Sequence, residues 1–322
     1  MNSVILEQST NTLIFRPTDY KTIYEELHAL HDLYASHSGV SASSVIDQDM
    51  WLPSGNAVSP VKAAHCLLEI QRTAVFIRGI NKAILSLQAS FPGQRIHILY
   101  AGCGPYATLL TPFTSRFTKD QLTFHLLDVN EHSLNAAKKL YKGLEIEEYV
   151  AEWICGDATT YRLPDDVTIH LAISETMLNA LRKEPQVEIM LNLVPQLDKK
   201  ALFIPSDITV TAELLDSYKE TYRYLEPEKT PDRLNLGTLY SIGREQCEPH
   251  SQVTIEIPQQ IENFKQLNLL TTITTFADEQ LQTYECSLNM PVRIADVTGY
   301  EGRKITFDYE RGAKPGFKYE WI

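Results

Sequence analysis

The sequence predicts an α/β chain: a mainly parallel sheet preceded by helices and followed by a β-rich unit. Three observations carry that reading. Between residues 95 and 206, short apolar runs alternate with helix-periodic segments, which implies βαβ units and a parallel sheet covered on both faces. Ahead of them, apolar residues recur at helical spacing. After Pro205 only short runs between turn residues remain, as in a sandwich or partial barrel. The expected units are 1–92, 93–206 and 207–322, and 322 residues suffice for one large domain or two modest ones.

In chain order, Tyr20, Ile23, Leu27, Leu30 and Leu33 predict a helix from Thr18 to His37, followed by a Ser-rich connection to Asn56. Ser59-Pro60 reads as an N-cap and first helical position, opening one long helix through Ala63, Leu67, Ile70, Val75 and Ile80 to Leu87. Ile96–Tyr100 is a strand, Ala107–Phe117 a helix and Leu122–Val129 a second strand. Asn130 then caps a helix through Leu140. Val150–Cys155 and Val167–Ile173 are strands, Gln186–Leu197 a helix and Ala201–Pro205 a strand. Short strands are expected at Ile208–Glu213, Val253–Ile257, Leu269–Phe276, Thr283–Leu288, Val292–Ala295, Lys304–Tyr309 and Phe317–Trp321. The polar, Tyr-rich stretch Asp216–Gly243 reads as an insertion, and Asp216–Tyr224 as polar surface or the arm of a homodimer.

Composition narrows the partners. A formal charge of −12 argues against a nucleic-acid backbone and suits a cationic small molecule or peptide. Five scattered cysteines without a CxxC fit a reducing, cytoplasmic setting and give no disulfide scaffold. Neither a secretory signal nor an apolar run long enough for a bilayer is visible, so no membrane partner is expected. The histidines, His28 and His31 included, lack metal-ligand spacing, so no metal is expected either.

The turn Leu99-Tyr-Ala-Gly-Cys-Gly-Pro-Tyr106 follows a strand and precedes the next helical segment, the context in which glycine lets backbone approach a ligand. Acids then follow at successive strand ends. Asp128 is placed to accept ribose hydroxyls, and Asp157 with the Ala158 N–H to meet an adenine edge. Gly102 and Gly104 lack the third glycine of a dinucleotide turn, Ala107 standing there instead, and no second dinucleotide half is present. The cofactor expected is therefore a nucleoside without a pyrophosphate, S-adenosylmethionine.

Glu175 and Glu184 lie nine positions apart in Ser174-Glu-Thr-Met-Leu-Asn-Ala-Leu-Arg-Lys-Glu184, just past a strand at the ligand-binding edge of the sheet. Two carboxylates can grip the planar donors of a guanidinium. A guanidinium is almost never spontaneously nucleophilic, its pKa being about 12.5 or more, so gathering positive charge on the held nitrogens frees the remaining lone pair.

These residues together resemble a known family. Ser174-Glu175-x-Met177-x-x-x-Leu181-x-x-Glu184 resembles the double-glutamate loop of the protein arginine methyltransferases, and Glu69-Ile-Gln-Arg72-Thr73-Ala-Val-Phe76 is similar to their cofactor-binding helix. The resemblance covers residues 60–215. It implies that Arg72 binds the cofactor carboxylate, Gly102 and Gly104 form the cofactor turn, Asp128 takes the ribose and Met177 lines the acceptor channel. Leu202–Ser206 would cross into a β-barrel. The fold implied is a Rossmann-like, mainly parallel seven-stranded sheet with an N-terminal helical lid and a β-rich C-terminal unit for substrate and dimer contacts. Departures cluster around the acceptor. Tyr100 stands where the family has an acid, Leu178 replaces a glycine, Thr159 stands in place of a glutamate near the adenine, and no Thr-His-Trp triplet accompanies His250. They favour free arginine or a guanidine metabolite in a biosynthetic pathway over a protein tail. Two alternatives remain: an O- or N-methyltransferase acting on another small molecule, and a silent scaffold that keeps the fold.

Overall fold

The computed structural model describes residues 2–15, 19–41, 44, 48–223 and 231–322. The expected helix start at Thr18, much of the Ser-rich connection and the end of the expected arm at Tyr224 lie outside them. Helices α1 (Asn2–Phe15) and α2 (Tyr20–Ser38) come first, then the short strands β1 (Met50–Leu52) and β2 (Gly55–Ala57), which pair as a hairpin. Asp19 caps α2 by accepting the Thr22 N–H at 3.1 Å. α1 was not legible, since it buries Ser9, Thr10 and Thr12 beside Leu6 and Leu13. Tertiary partners satisfy two of them: the Ser9 hydroxyl donates to Glu26 at 2.6 Å and that of Thr10 to the Pro112 carbonyl at 3.1 Å.

The long helix expected from Pro60 to Leu87 is two. α3 (Pro60–His65), capped by Ser59, gives way to a 3₁₀ turn, and α4 (Ile70–Ser90) restarts after Glu69, whose φ/ψ is extended. The parallel sheet comprises β3 (Ile96–Ala101), β4 (Leu122–Asp128), β5 (Val150–Cys155), β6 (Leu171–Ser174) and β7 (Leu202–Ile204), with α5 (Glu131–Gly143) and α6 (Gln186–Leu193) between strands. Its order is β5-β4-β3-β6-β7 and every pair is parallel. Five strands, not the implied seven, are present among the described residues, because the chain leaves this sheet at the cis Ile204–Pro205 bond and enters an antiparallel one. β3 has β4 on one side and β6 on the other, so the order reverses there and a crevice opens at the carboxyl ends.

Two further expectations fail locally. Ala107 takes φ 44° and only the 3₁₀ turn Thr111–Ser115 follows, because the Thr111 hydroxyl draws on the carbonyls of Tyr106 and Ala107. The strand expected from Val167 begins only at Leu171.

The β-rich unit holds β8 (Asp207–Leu215), α7 (Ser217–Tyr222), β9 (Arg233–Gly243), β10 (Val253–Glu256), β11 (Gln266–Phe276), β12 (Glu279–Leu281), β13 (Val292–Asp296), β14 (Lys304–Glu310) and β15 (Gly316–Trp321). One sheet runs β12-β11-β8-β9, with β13 also on β11, and another β10-β14-β15. The stretch read as an insertion thus holds α7 and a full sheet strand, β9, with residues 224–230 outside the described ones. Thr283–Leu288, read as a strand, is a turn ending in the 3₁₀ segment Ser287–Asn289. One continuous apolar core runs from α1 and α2 through the parallel sheet into the β-rich unit.

Candidate active site

A cavity of about 310 Å³ opens at the crevice beside β3, within the size range of small-molecule sites. All of Arg72, Gly102, Gly104, Asp128, Asp157, Ala158, Glu175, Met177 and Glu184 line it. Residues scattered over more than a hundred positions of sequence therefore meet on one surface.

The glycine turn is held tightly to the sheet: the N–H groups of Gly102 and Cys103 donate to the Leu127 carbonyl at 2.8 and 3.1 Å. Gly102 has φ +78°, and a Cβ built there would lie 2.5 Å from Thr176 Cγ2 in the loop after β6. Gly102→Ala is accordingly expected to lower stability by about 1–3 kcal/mol in urea denaturation, combining strain with a close contact. Stability equal to the wild type would show that the turn relaxes freely.

Asp128 is buried and already holds this turn. Its Oδ2 accepts the Gly104 N–H at 2.8 Å and its Oδ1 the Asn130 N–H at 2.8 Å. Burial pushes its carboxyl up to about 6, against the lowering effect of those two N–H groups. A carboxylate offers about four lone-pair positions, so two remain for a vicinal diol. Asp157, past β5, accepts from the Thr159 N–H at 2.9 Å and the Thr159 hydroxyl at 2.7 Å, which orients it in its own turn. Ala158 is pinned by Asn192, whose Nδ2 donates to the Ala158 carbonyl at 2.9 Å.

On the other flank, Arg72 is buried between two acids. Nη2 donates to Glu175 Oε2 at 2.6 Å and Nη1 to Glu69 Oε1 at 2.8 Å, leaving three of its five N–H donors. Glu69 in turn accepts the Ser287 N–H at 2.9 Å and its hydroxyl at 2.8 Å, so the β-rich unit anchors the arginine. Burial raises the Glu175 carboxyl above its usual value while Arg72 pulls it back, and Glu175 Oε1 is buried with no hydrogen-bond partner. Glu184 is pushed up to about 8, first by burial and then by the charge of Glu175. Two carboxyl groups held above their ordinary range chiefly by burial, in a cavity with spare acceptor atoms, form a site short of a cation.

The loop carrying these acids is strained. Ala180, Leu181 and Lys183 take φ of 53°, 54° and 66°, each costing about 1–3 kcal/mol for a residue with a side chain. Its neighbours hold it. The Ala180 N–H donates to Thr271 Oγ1 at 2.8 Å, Tyr309 donates its hydroxyl to the Leu181 carbonyl at 2.7 Å, and the Lys183 N–H donates to the Pro315 carbonyl at 2.9 Å. From the other side the hairpin closes in: the Asn56 N–H donates to the Lys183 carbonyl at 2.7 Å, and a Cβ at Gly55 would meet that oxygen at 2.8 Å.

The residues that depart from the family pattern have clear places. Tyr100 is buried and lines the cavity, its phenol raised by burial and then by Glu175. Leu178 lines it as well. His250 is structural: its Nδ1 accepts the Tyr309 N–H at 3.2 Å and its ring packs among Tyr240, Tyr309 and Phe317. Sequence reasoning missed Glu69, Asn56 and Ser287 as site residues. Glu69 stands one helical turn before Arg72, a spacing that pairs acid with base, whereas nothing in the sequence points to the other two.

A Trypanosoma brucei structure described as the PRMT1 enzyme-prozyme heterotetrameric complex with AdoHcy is 14% identical over 81% of this chain and 92% of its own, with a TM-score of 0.54. The chain has the fold of that arginine methyltransferase. An open-form structure of Arabidopsis thaliana protein arginine methyltransferase 10 is 9% identical over 76% of this chain and 86% of its own, at a TM-score of 0.49. No protein-family model matches the sequence, and no curated protein does. Among the described residues, no group of His, Cys, Asp and Glu could hold a metal ion, and no helix is long and apolar enough to cross a membrane.

Proposed function

We propose that the chain is an S-adenosylmethionine-dependent N-methyltransferase whose acceptor is a guanidinium, with Glu175 and Glu184 as catalytic carboxylates. The observation that carries this is the pair of buried carboxyls facing one cavity, Glu175 with an unpartnered oxygen and Glu184 pushed up to about 8. The cavity fits the cofactor: Asp128 keeps two acceptor positions for its ribose, Arg72 keeps three donors for its carboxylate, and Gly102 admits it closely. Asp157 and Ala158 line the same cavity and are assigned to the adenine edge, and Met177, which lines it too, to the acceptor side. When bound, the cofactor supplies an electrophilic methyl group. The protein's own task is to hold the guanidinium in the plane of the two carboxylates and to draw its charge towards them. Glu184, already reluctant to ionise, is the natural acceptor of the proton released on methylation.

Calorimetry with S-adenosylhomocysteine, followed by transfer of a labelled methyl to a panel of arginine, other guanidines, amines, phenols and arginine peptides, tests the reading. Labelling of a guanidine supports it. Labelling of phenols or amines alone would move it to the O- or N-methyl alternative, and absence of cofactor affinity to a silent scaffold. The Tyr100, Leu178 and Ser287 surroundings favour free arginine or a guanidine metabolite in the cytoplasm. The heterotetramer of the trypanosomal protein supports testing for pairing of two copies, by light scattering.

A proton should leave when the cation binds. Glu184 in the empty site is mostly protonated at pH 7, and a guanidinium stabilises its charged form, so affinity must rise with pH up to about 8 and then level. Titration calorimetry at pH 7 in two buffers of different ionisation enthalpy is expected to show release of close to one proton per guanidinium bound. No buffer dependence would mean that Glu184 does not meet the ligand.

A further inference from the structure

Asn56, from the β1–β2 hairpin, lines the same cavity and is only 7% exposed. Its Nδ2 donates to Asp49 Oδ2 at 3.2 Å. Because a carboxylate can only accept, that bond fixes the amide with nitrogen towards Asp49 and oxygen away from it. Asp49 is itself immobilised by the Ser59 N–H at 2.9 Å and by Lys62 Nζ at 3.2 Å. The oxygen so oriented, Asn56 Oδ1, is buried and has no donor. A buried acceptor left empty costs about 1–3 kcal/mol, which is hard to account for on a hairpin whose backbone is already tied to Lys183. Glu175 Oε1 is empty in the same way.

We propose that Asn56 is a third acceptor for the bound cation, so that the site selects a monosubstituted guanidinium by meeting its planar donors from three elements: the Glu175 end of the loop, the Glu184 end and the hairpin. This rests on the guanidine reading above. A guanidinium spreads its five N–H donors over three sides of one plane, so an oxygen on a third element can meet donors that carboxylates at the two ends of a single loop do not face. An ammonium, with three donors in a tetrahedral array, cannot meet the same set, and the ratio of guanidinium to ammonium affinity therefore depends on position 56.

The test is titration calorimetry of arginine and lysine into full-length protein saturated with S-adenosylhomocysteine at pH 8.5, comparing wild type, Asn56→Leu and Asn56→Asp. Asn56→Leu is expected to weaken arginine about tenfold, shrink the preference over lysine and leave S-adenosylhomocysteine affinity unchanged. Asn56→Asp restores acceptor oxygens but destroys the bond to Asp49, so it should bind arginine within about threefold of wild type. A purely structural role for the amide predicts the reverse, since two carboxylates side by side would loosen the hairpin most. Equal binding by Asn56→Leu and wild type, or equally weak binding by both variants, overturns the proposal. Wild type that binds neither arginine nor S-adenosylhomocysteine instead removes the reading beneath it. If the variants do not fold, the Asn56 side-chain amide resonances of nitrogen-15-labelled wild type decide: a shift on adding guanidinium chloride supports the contact, and no shift overturns it.

Discussion

Glu184→Gln is expected to lower turnover by about a thousandfold while S-adenosylhomocysteine affinity stays within a factor of two of wild type. The amide is nearly isosteric but carries no charge, so it can neither draw positive charge towards its side of the guanidinium nor take the released proton, effects together worth about 10²–10⁴ in rate. Arg72 is paired with Glu69 and Glu175, and Asp128 is held by Gly104 and Asn130, so the cofactor surface does not depend on Glu184 for its hydrogen bonds. The same substitution should stabilise the empty protein. A carboxyl raised to about 8 when folded, against its ordinary value of 4.5, costs nothing below pH 4.5 and destabilises increasingly as pH rises to about 8. Gln removes that penalty, so melting curves should show little gain at pH 4.5 and a gain on the order of 3 kcal/mol at pH 8.5. Single-turnover kinetics and paired melts at the two pH values measure both halves. Wild-type turnover would sink the catalytic assignment, and a gain that does not depend on pH would sink the electrostatic one.

The parallel sheet was readable because buried parallel strands are written as unbroken apolar runs between helical periods: Ile96–Ala101 and Leu122–Asp128 are buried along almost their whole length. The cavity residues were readable because strand ends of such a sheet converge at its carboxyl edge, which fixes Gly102, Asp128, Asp157 and Glu175 near one another without any knowledge of side chains. The helix expected after Ala107 failed for a local reason, the Thr111 hydroxyl, but the larger misreadings trace to non-local partners. The break before α4 exists because Glu69 turns away to serve Arg72 and Ser287, 218 positions distant from one another in the case of Glu69 and Ser287. β9 was taken for part of an insertion because its polar residues hide a strand that is held by pairing along β8, across the intervening α7. The loop from Glu175 to Glu184 contains no glycine, so its three left-handed residues leave no trace in composition; Thr271, Tyr309, Pro315 and Asn56 impose them from far along the chain. The β-rich unit is therefore part of the site's construction, since it supplies both the contacts that hold the acidic loop and the serine that holds Glu69.

That construction makes Arg72 the most sensitive position for stability. Arg72→Met would remove the partner of Glu175 Oε2 and leave both oxygens of a buried carboxylate unpaired, at a cost of about 3–5 kcal/mol. The sign of the pH dependence follows. Glu175 is already raised by burial with Arg72 opposing it; without the arginine it rises further, and a carboxyl raised in the folded state destabilises as pH increases. The variant should therefore lose most at pH 8.5 and recover towards wild-type stability as the pH falls and Glu175 takes up a proton. Adding Glu175→Gln to Arg72→Met should recover much of the loss at pH 8.5, a coupling that a simple packing defect would not show. Arg72→Lys should fall between, because one ammonium cannot reach Glu69 and Glu175 with the fixed fork of a guanidinium. Urea denaturation at both pH values gives the stabilities, and calorimetry is expected to show S-adenosylhomocysteine affinity reduced about a hundredfold in Arg72→Met through loss of the charge-assisted bonds to its carboxylate. Equal stability of Arg72→Met and wild type at pH 8.5 would show that the buried acid is solvated and that the site is far more open than its geometry states.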